Sequence, residues 1–419
     1  MPQFGLFAQI TTSLRNRNFR LYFCGMSISL IGTWMQQVAM SWLVYRLTGS
    51  VLLLASTAFM SQIPVLILTP LMSVWTDRTD RRRILFFTQS LSMLQAVALG
   101  LLSLSGYIEV WHLLALSLFI GCVNALDNPT RQAFYPSLVN KDELGNAIAL
   151  NSAVINGSRL IGPAIGGVII SIIGEGWCFL INGLSYIGVL IALAMIHQVE
   201  FHPQNKRGNV ITEMYEGFSY IRQQEAIRVL LLTMCAFSFF GLPLVTFIPA
   251  YVKDILGGGS ELLGGLMTCT GIGSFIAALY LAIRKNSIGL ERFISLSGLL
   301  LGGSLLTLAG THDIPIAVMA CIPAGFALIA TAASINTLVQ ELTDENKRGR
   351  VMGYLAMTFT GISPLGSMVL SAMVDRFGLP TVITLSGLAC ILISILFAKT
   401  YKPTVALSFQ QAYKANHSK

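Results

Sequence analysis

The chain has 419 residues, of which 54% are hydrophobic and 11% are charged, and its formal net charge is +8. This apolar content exceeds what a soluble domain buries in one core, so the composition indicates a membrane protein and disfavours a soluble enzyme. The basic residues lie in short clusters between apolar runs, which is typical of a topology signal. We therefore expect a lipid bilayer as the environment and no nucleic acid as a partner.

Twelve apolar runs are each long enough to cross a bilayer as a helix, which takes about 20 residues. The predicted spans are 20–45, 51–75, 84–105, 112–134, 146–171, 176–198, 229–252, 261–283, 293–309, 315–340, 351–373 and 380–398. The longest polar break between them contains EMYEGFSYIRQQEAIR, a candidate surface helix. These runs predict an all-α membrane protein with twelve transmembrane helices in two pseudo-symmetric six-helix halves.

The division follows from the position of the long break. We predict an N-terminal half, a cytoplasmic central loop, a C-terminal half and a cytoplasmic tail at 1–198, 199–228, 229–398 and 399–419. A weak internal repeat supports two halves, because the segment 138–167 aligns with 338–367 and places Pro163 near Pro364. Parallel repeats of six helices are typical of secondary transporters, in which the substrate site lies near the membrane midplane.

The orientation follows from the basic residues. If the N-terminus is inside, most of the 27 Lys and Arg residues lie in inner segments, and the outer ends carry Arg46, Lys253 and Arg376. Positive charge accumulates on the cytoplasmic side of membrane proteins. Both termini are therefore expected in the cytoplasm.

The loop between the second and third spans reads TDRTDRRRI (76–84). With twelve spans and a central loop, it resembles the major facilitator superfamily, whose signature here is roughly G-x-x-x-D-R-x-G-R-R; Ser73 and Asp80 stand where that pattern has glycine. Together with ALDNPTRQAFYPSLVNKDELGNAIALNS and GSRLIGPAIGGVI, the loop is similar to siderophore exporters and macrolide efflux pumps. The resemblance implies a monomeric transporter of the bacterial inner membrane.

The resemblance also implies a cytoplasmic latch. In similar transporters a basic residue of this loop pairs with an acid on the fourth span, which here predicts Arg81 with Asp127. Asp77 would then cap a helix of the other half that starts near Val351. The latch candidates are Asp77, Arg78, Arg81, Arg82, Asp127 and Arg131. Two alternatives stay open, namely that the loop only marks topology and that Asp127 carries a proton.

A second charge lies deep in a predicted span. Arg159 is about 20 Å from the inner surface on the fifth span, at 1.5 Å per residue. It either snorkels or bonds to carbonyls, or it faces a central cavity and attracts an anionic group of the substrate. Asn156, Gln36 and Gln37 are further candidates for substrate binding.

The fifth span continues with LIGPAIGG, which contains Gly162, Pro163, Gly166 and Gly167. The spacing of Gly162 and Gly166 permits close helix packing. The stretch also resembles the antiporter motif of efflux members, which is thought to limit leak through the outer gate. Ordinary close packing is the alternative, and the two do not exclude each other.

Several chemistries have no support in the sequence. There is no GxxxxGK[ST] loop for ATP and no cluster of metal ligands, so we expect no cofactor and no metal. We expect a secondary exporter of an amphipathic small molecule, a siderophore or a drug, with protons as the coupling ion. The alternatives are an importer of an iron complex or nutrient and a non-transporting membrane sensor.

Overall fold

The computed structural model describes residues 12–76, 79–196, 210–284 and 287–417, and the regular structure over these residues is helical throughout. We number the α-helices in chain order. They are α1 Arg17–Thr48, α2 Val51–Thr76, α3 Arg81–Leu104, α4 Val110–Ser137, α5 Leu144–Ile173, α6 Glu175–Met195, α7 Val210–Gln223, α8 Glu225–Phe240, α9 Leu244–Ala250, α10 Ser260–Ile283, α11 Leu290–Gly310, α12 Ile314–Leu342, α13 Glu345–Thr360, α14 Ile362–Phe377 and α15 Leu379–His417.

Eleven segments among the described residues are long and apolar enough to cross a membrane, against twelve predicted. The difference lies at α1, which is 32 residues long but is interrupted by polar residues such as Thr33, Gln36 and Gln37. The all-helical membrane fold is thus confirmed. The predicted number of spans is one higher because it includes α1. At the other end of the chain, α15 continues beyond its apolar part into the predicted tail.

Two of the eleven segments are each built from more than one helix. The first runs over Glu225–Ile255, where α8 and α9 are separated at Gly241–Pro243 and a π-helical turn follows Pro249. Proline lacks an N–H and cannot continue a helical ladder, which accounts for this break. In the second, Gly361 separates α13 from α14.

The chain divides into two compact units. The first comprises Met1–Lys206 and Gly258–Thr268, so the start of α10 groups with α1–α6. One of its apolar cores lies near the start of α1 and the end of α4, where Tyr22 is fully buried between the rings of Phe134 and Tyr135. Edge-to-face packing of this kind is favourable beyond the area that it buries.

The second unit comprises Arg207–Gly257 and Cys269–Lys419. Its core draws on α8, α11, α12 and α13, with fully buried Leu230, Ile294, Leu338 and Val351. The helix α7 packs on α13 and overlaps the candidate surface helix EMYEGFSYIRQQEAIR (213–228), but it ends at Gln223 and α8 begins at Glu225. Inside this unit the backbones of α10 and α12 meet closely at Gly273 and Gly325, where a Cβ atom would collide with backbone.

The contact between α7 and α13 is electrostatic as well as apolar. The Glu216 carboxylate on α7 lies 3.4 Å from Lys347 Nζ and also accepts a hydrogen bond from Arg350. The hydrogen bond from Lys347, followed by the charge of Arg350, lowers the pKa of Glu216 below its ordinary value of 4.5. Because the folded pKa is lowered, this contact contributes at neutral pH and is lost as the pH falls through the lowered value.

We predict that α7 loosens from α13 only in acid. A spin label at Ser219→Cys should stay immobile at neutral pH and gain mobility as the pH falls through the lowered pKa of Glu216. In a Glu216→Gln background the label should be mobile at every pH. Electron paramagnetic resonance spectra along a pH series measure this, and a transition centred above the ordinary pKa of 4.5 would contradict the assignment to Glu216.

Candidate functional site

Asp127 is the polar centre of the first unit. It is 3% exposed on α4 and accepts hydrogen bonds from two side chains of α3, Thr88 Oγ1 at 2.7 Å and Gln89 Nε2 at 2.9 Å. Its other oxygen lies 3.6 Å from Arg131 Nη2, one turn further along α4. A buried carboxylate is tolerable only when it is paired and hydrogen-bonded, and Asp127 meets both conditions.

The surroundings of this pair are aromatic. Tyr22 of α1, Tyr135 of α4 and Tyr186 of α6 are buried in the neighbourhood of Asp127 and Arg131. The Arg131 guanidinium also donates to Asn128 Oδ1 at 2.8 Å. The carboxylate and its partners therefore tie α3 to α4 close to buried tyrosines of α1 and α6.

The predicted pair of Arg81 with Asp127 is not formed in this conformation. Arg81 is the first residue of α3, and its guanidinium donates to the Ala133 carbonyl at 3.2 Å. Ala133 lies six residues beyond Asp127 on α4, a rise of about 9 Å toward the C-terminal end of the helix. The carboxylate is already held by Thr88, Gln89 and Arg131, so Arg81 meets the helix backbone instead.

Two other residues of the loop act as helix caps. Asp80 stands at the N-cap of α3 and accepts from the Arg82 backbone N–H at 2.9 Å. The Arg82 side chain donates to the Leu193 and Ala194 carbonyls at the end of α6. An acid at the start of a helix and a cation at its end both interact favourably with the helix dipole.

The helix that Asp77 was predicted to cap starts earlier than expected. The helix predicted to start near Val351 begins at Glu345, and Val351 is fully buried within α13. Asp77 and Arg78, the other latch candidates, lie outside the described residues. The role of the latch residues stays a prediction.

The glycines of α5 lie against two different helices. A Cβ atom on Gly162 would come 2.5 Å from Trp34 Cβ of α1, and one on Gly166 would press on Met35. A Cβ atom on Gly167 would come 2.9 Å from the Cα of Gly264 on α10. We call these contacts the α5 glycine seam; the helices approach this closely because the glycines have no side chain.

Pro163 and its neighbours extend the seam. The Pro163 carbonyl faces Gly264, where an added Cβ atom would come within 2.6 Å, and the Leu160 carbonyl accepts from Thr268 Oγ1 of α10 at 3.4 Å. Pro163 itself is accommodated inside the continuous helix α5. The four residues of the predicted motif thus lie at helix contacts.

The polar candidates for substrate binding differ in their hydrogen bonds and in their exposure. Gln36 is engaged within the first unit, where it donates to Gln95 Oε1 at 3.1 Å and accepts from Asn182 Nδ2 at 2.7 Å. Gln37, the next residue, is exposed. Asn156 on α5 donates to the Ser152 carbonyl at 2.8 Å.

Arg159 has an aromatic partner. It lies at the middle of the 30-residue helix α5, and its guanidinium carbon is 4.8 Å from the centroid of the Trp34 ring. Within the described residues, no hydrogen bond or ion pair joins the guanidinium to a protein acceptor, and the side chain is partly buried. A cation over the face of tryptophan is stabilised by the ring quadrupole.

Sequence reasoning missed two pairs. Arg46, near the end of α1, contacts the carboxylate of Glu175 at the start of α6 at 2.5 Å, and Glu175 has a side-chain exposure of only 9%. Trp34 was not assigned a role as the partner of Arg159. Opposite charges at the two predicted outer ends were the available signal for the first pair, whereas nothing in the linear sequence indicates the second.

Comparison with known proteins identifies the family. The family described as transmembrane secretion effector, a branch of the major facilitator superfamily, matches residues 9–416. The chain belongs to this family. It is therefore a membrane transporter for small molecules and not an enzyme, and the alternative of a non-transporting sensor is set aside.

Characterised relatives cover almost the whole chain. The chain is 27% identical to the staphyloferrin A transporter of Staphylococcus aureus over 90% of its length and 95% of the relative's. It is 24% identical to macrolide efflux protein A of Streptococcus pyogenes, with coverage of 90% and 94%. The predicted resemblance to siderophore exporters and macrolide efflux pumps is thus confirmed.

Solved structures support the fold. The nucleoside transporter NupG superposes with a TM-score of 0.75 at 13% identity, over 93% of this chain and 99% of that one. A bacterial homologue of the iron transporter ferroportin superposes with a TM-score of 0.67 at 16% identity, over 91% and 98%. These likenesses show the fold. The apolar helices, the family and the bacterial relatives together indicate an integral protein of the inner membrane.

We predict that Asp127 stabilises the first unit. Asp127→Ala leaves Thr88, Gln89 and Arg131 without their shared acceptor, and it should lower the free energy of unfolding by about 3 kcal/mol. Asp127→Asn keeps an acceptor oxygen for the two α3 donors and should cost less, about 1.5 kcal/mol. Thermal unfolding of the purified proteins in detergent gives the order of stability of the wild-type protein and the two variants.

A double variant provides the control. Arg131→Gln combined with Asp127→Asn removes both charges, so it should be more stable than Asp127→Asn alone, which leaves a cation unpaired. Wild-type melting temperatures for both Asp127 variants would contradict the structural role.

Proposed function

We propose that the chain is a proton-coupled exporter of an amphipathic small molecule, a siderophore or a drug, that works by alternating access. The observation that carries this proposal is the α5 glycine seam, because its contact between Gly167 and Gly264 fits the antiporter motif of efflux members. The names of two relatives, a macrolide efflux protein and a multidrug efflux pump, support the same direction.

The proposed layout has twelve spans. We propose α1 as the twelfth, because its 32 residues extend over about 48 Å as a helix, enough for a bilayer core of about 30 Å. The proposed parts are the halves 1–198 and 229–398, the central loop 199–228 and the tail 399–419. Both termini lie in the cytoplasm in this proposal, on the basis of the charge distribution.

Asp127 is the proposed site of proton coupling. Of the acids that the structure describes, three are buried, and two of these, Glu175 and Glu291, stand at helix starts. Asp127 lies well inside a span. Protonation would remove its charge interaction with Arg131 and weaken the tie between α3 and α4, which offers a way to link proton binding to helix movement.

The inner loop is the proposed latch. Arg81 donates to the α4 backbone and Arg82 to the end of α6, so both hold the start of α3 in place. A pair of Arg81 with Asp127 would require Arg81 to leave the Ala133 carbonyl. We propose that it forms in a different conformation, with Asp77 and Arg78 completing the latch.

The proposed cargo residues lie on α1 and α5. Arg159, Asn156 and Gln37 are each at least partly accessible, whereas Gln36 is engaged with Gln95 and Asn182. Gln36 therefore supports the position of α1 rather than being free to bind cargo. An importer of an iron complex or nutrient is the alternative function, and the direction of uptake separates it from an exporter.

We predict uphill uptake into inside-out vesicles. With an acidic lumen, vesicles containing the protein should accumulate radiolabelled erythromycin or staphyloferrin A, because protons leaving the lumen drive cargo in. A protonophore should abolish the accumulation. Asp127→Asn should reduce coupled uptake at least tenfold, while downhill exchange of cargo should decline less.

The matched control is Glu175→Gln, which removes a buried acid at a helix start. It should retain the dependence on the proton gradient even if it lowers stability. Absence of uphill uptake for both compounds, or uptake only into right-side-out vesicles, would reject the proposed exporter and favour the importer.

A further inference from the structure

We propose that Arg159 and Trp34 form a receptor for a carboxylate group of the cargo, in which Trp34 positions the guanidinium and Arg159 binds the anion. This inference rests on the proposed transport of amphipathic cargo and narrows it to molecules with a planar oxyanion. It assigns a role to Trp34, which no sequence motif indicates.

Arg159 carries a positive charge at the middle of α5. A guanidinium at the middle of a membrane helix is costly unless it has a counter-charge or hydrogen-bond acceptors. Within the described residues, Arg159 has neither, and the indole is its only recorded partner. Arg131, by contrast, has the Asp127 carboxylate one turn away on its own helix and donates to Asn128. The isolated cation is therefore the one that gains most from an anion supplied from outside the chain.

The Arg159 guanidinium lies over the ring of Trp34. The indole ring offers no oxygen acceptor, so contact with Trp34 leaves the N–H fork of Arg159 able to bind a planar oxyanion through two parallel hydrogen bonds. Arg159 is partly buried and has no fully buried, unpaired nitrogen, in contrast to Arg81, whose Nε is buried without a partner. The cation is thus held from one side and accessible from another.

The position of Trp34 is fixed by the close approach of α5 to α1. Arg159 and Gly162 lie one turn apart on α5, so they share a face of the helix. The absence of a Cβ atom at Gly162 lets α5 approach Trp34 Cβ and the Ile31 carbonyl of α1. This close approach brings the Trp34 ring to Arg159, and the first glycine of the seam thereby serves the receptor as well as the packing.

The receptor predicts selectivity rather than general affinity. A carboxylate on the cargo gains a charge-assisted pair, whereas a neutral ester gains at most a single weak hydrogen bond. Cationic cargo meets a fixed positive charge and is disfavoured. The preference should therefore depend on Arg159 and on its support by Trp34.

Rhodamine B and its methyl ester test this directly, because they differ in the free carboxylate. Fluorescence polarisation with the full chain in detergent at neutral pH should show roughly tenfold to a hundredfold tighter binding of the acid. Arg159→Gln should abolish the preference, and Arg159→Lys, which keeps the charge without the fork, should retain part of it. Trp34→Leu and Gly162→Ala should each reduce it.

The matched control is Trp42→Leu, two turns further along α1, which should keep the wild-type preference. Thermal unfolding identifies variants that fail to fold. Binding of neither dye, equal binding of both by the wild-type protein, or a preference that survives Arg159→Gln would overturn the receptor. Since binding is measured without a gradient, its outcome is separate from uptake into vesicles, which tests direction and proton coupling.

Discussion

The close approach of α5 to its neighbours is the constraint on which the first unit depends. Gly162 and Gly166 allow α1 to approach α5 closely, and Gly167 allows the start of α10 to do so. The helix α5 is therefore fixed on two sides by backbone contact. In a membrane, where lipid offers no hydrophobic driving force between helices, such contacts supply much of the association. The same seam sets the position of Trp34, and through it the position of Arg159.

The two charges inside predicted spans, those of Asp127 and Arg159, have opposite environments. Asp127 is enclosed and satisfied by side chains of α3 and α4, so it stabilises the unit and is a candidate for coupling through a change of protonation. Arg159 lies over an indole and makes no hydrogen bond to a protein acceptor that the structure describes. This difference distinguishes a charge that serves the protein's own structure from one that is available to a ligand.

The spans, the glycine motif and the family follow from the sequence because hydropathy, basic clusters and small-residue spacing are local signals. The partners of the charges do not. Arg81 was expected at Asp127, but hydrogen bonds from Thr88 and Gln89 on α3 already hold that carboxylate. Axial distance along a helix can be estimated from residue number, whereas the face that meets a neighbouring helix cannot. For that reason Trp34 and the pair of Arg46 with Glu175 were missed.

We propose that the backbone contact of α5 with α10 seals the transporter against leak. Passive efflux of rhodamine B from proteoliposomes, measured without a gradient, tests it most directly through Gly264→Ala and the adjacent Gly265→Ala. A Cβ atom at Gly264 meets the Pro163 carbonyl and Gly167, whereas one at Gly265 meets nothing within 4 Å. We expect Gly264→Ala to raise the leak severalfold and Gly265→Ala to leave it unchanged. Equal leak in the two variants would contradict the seal.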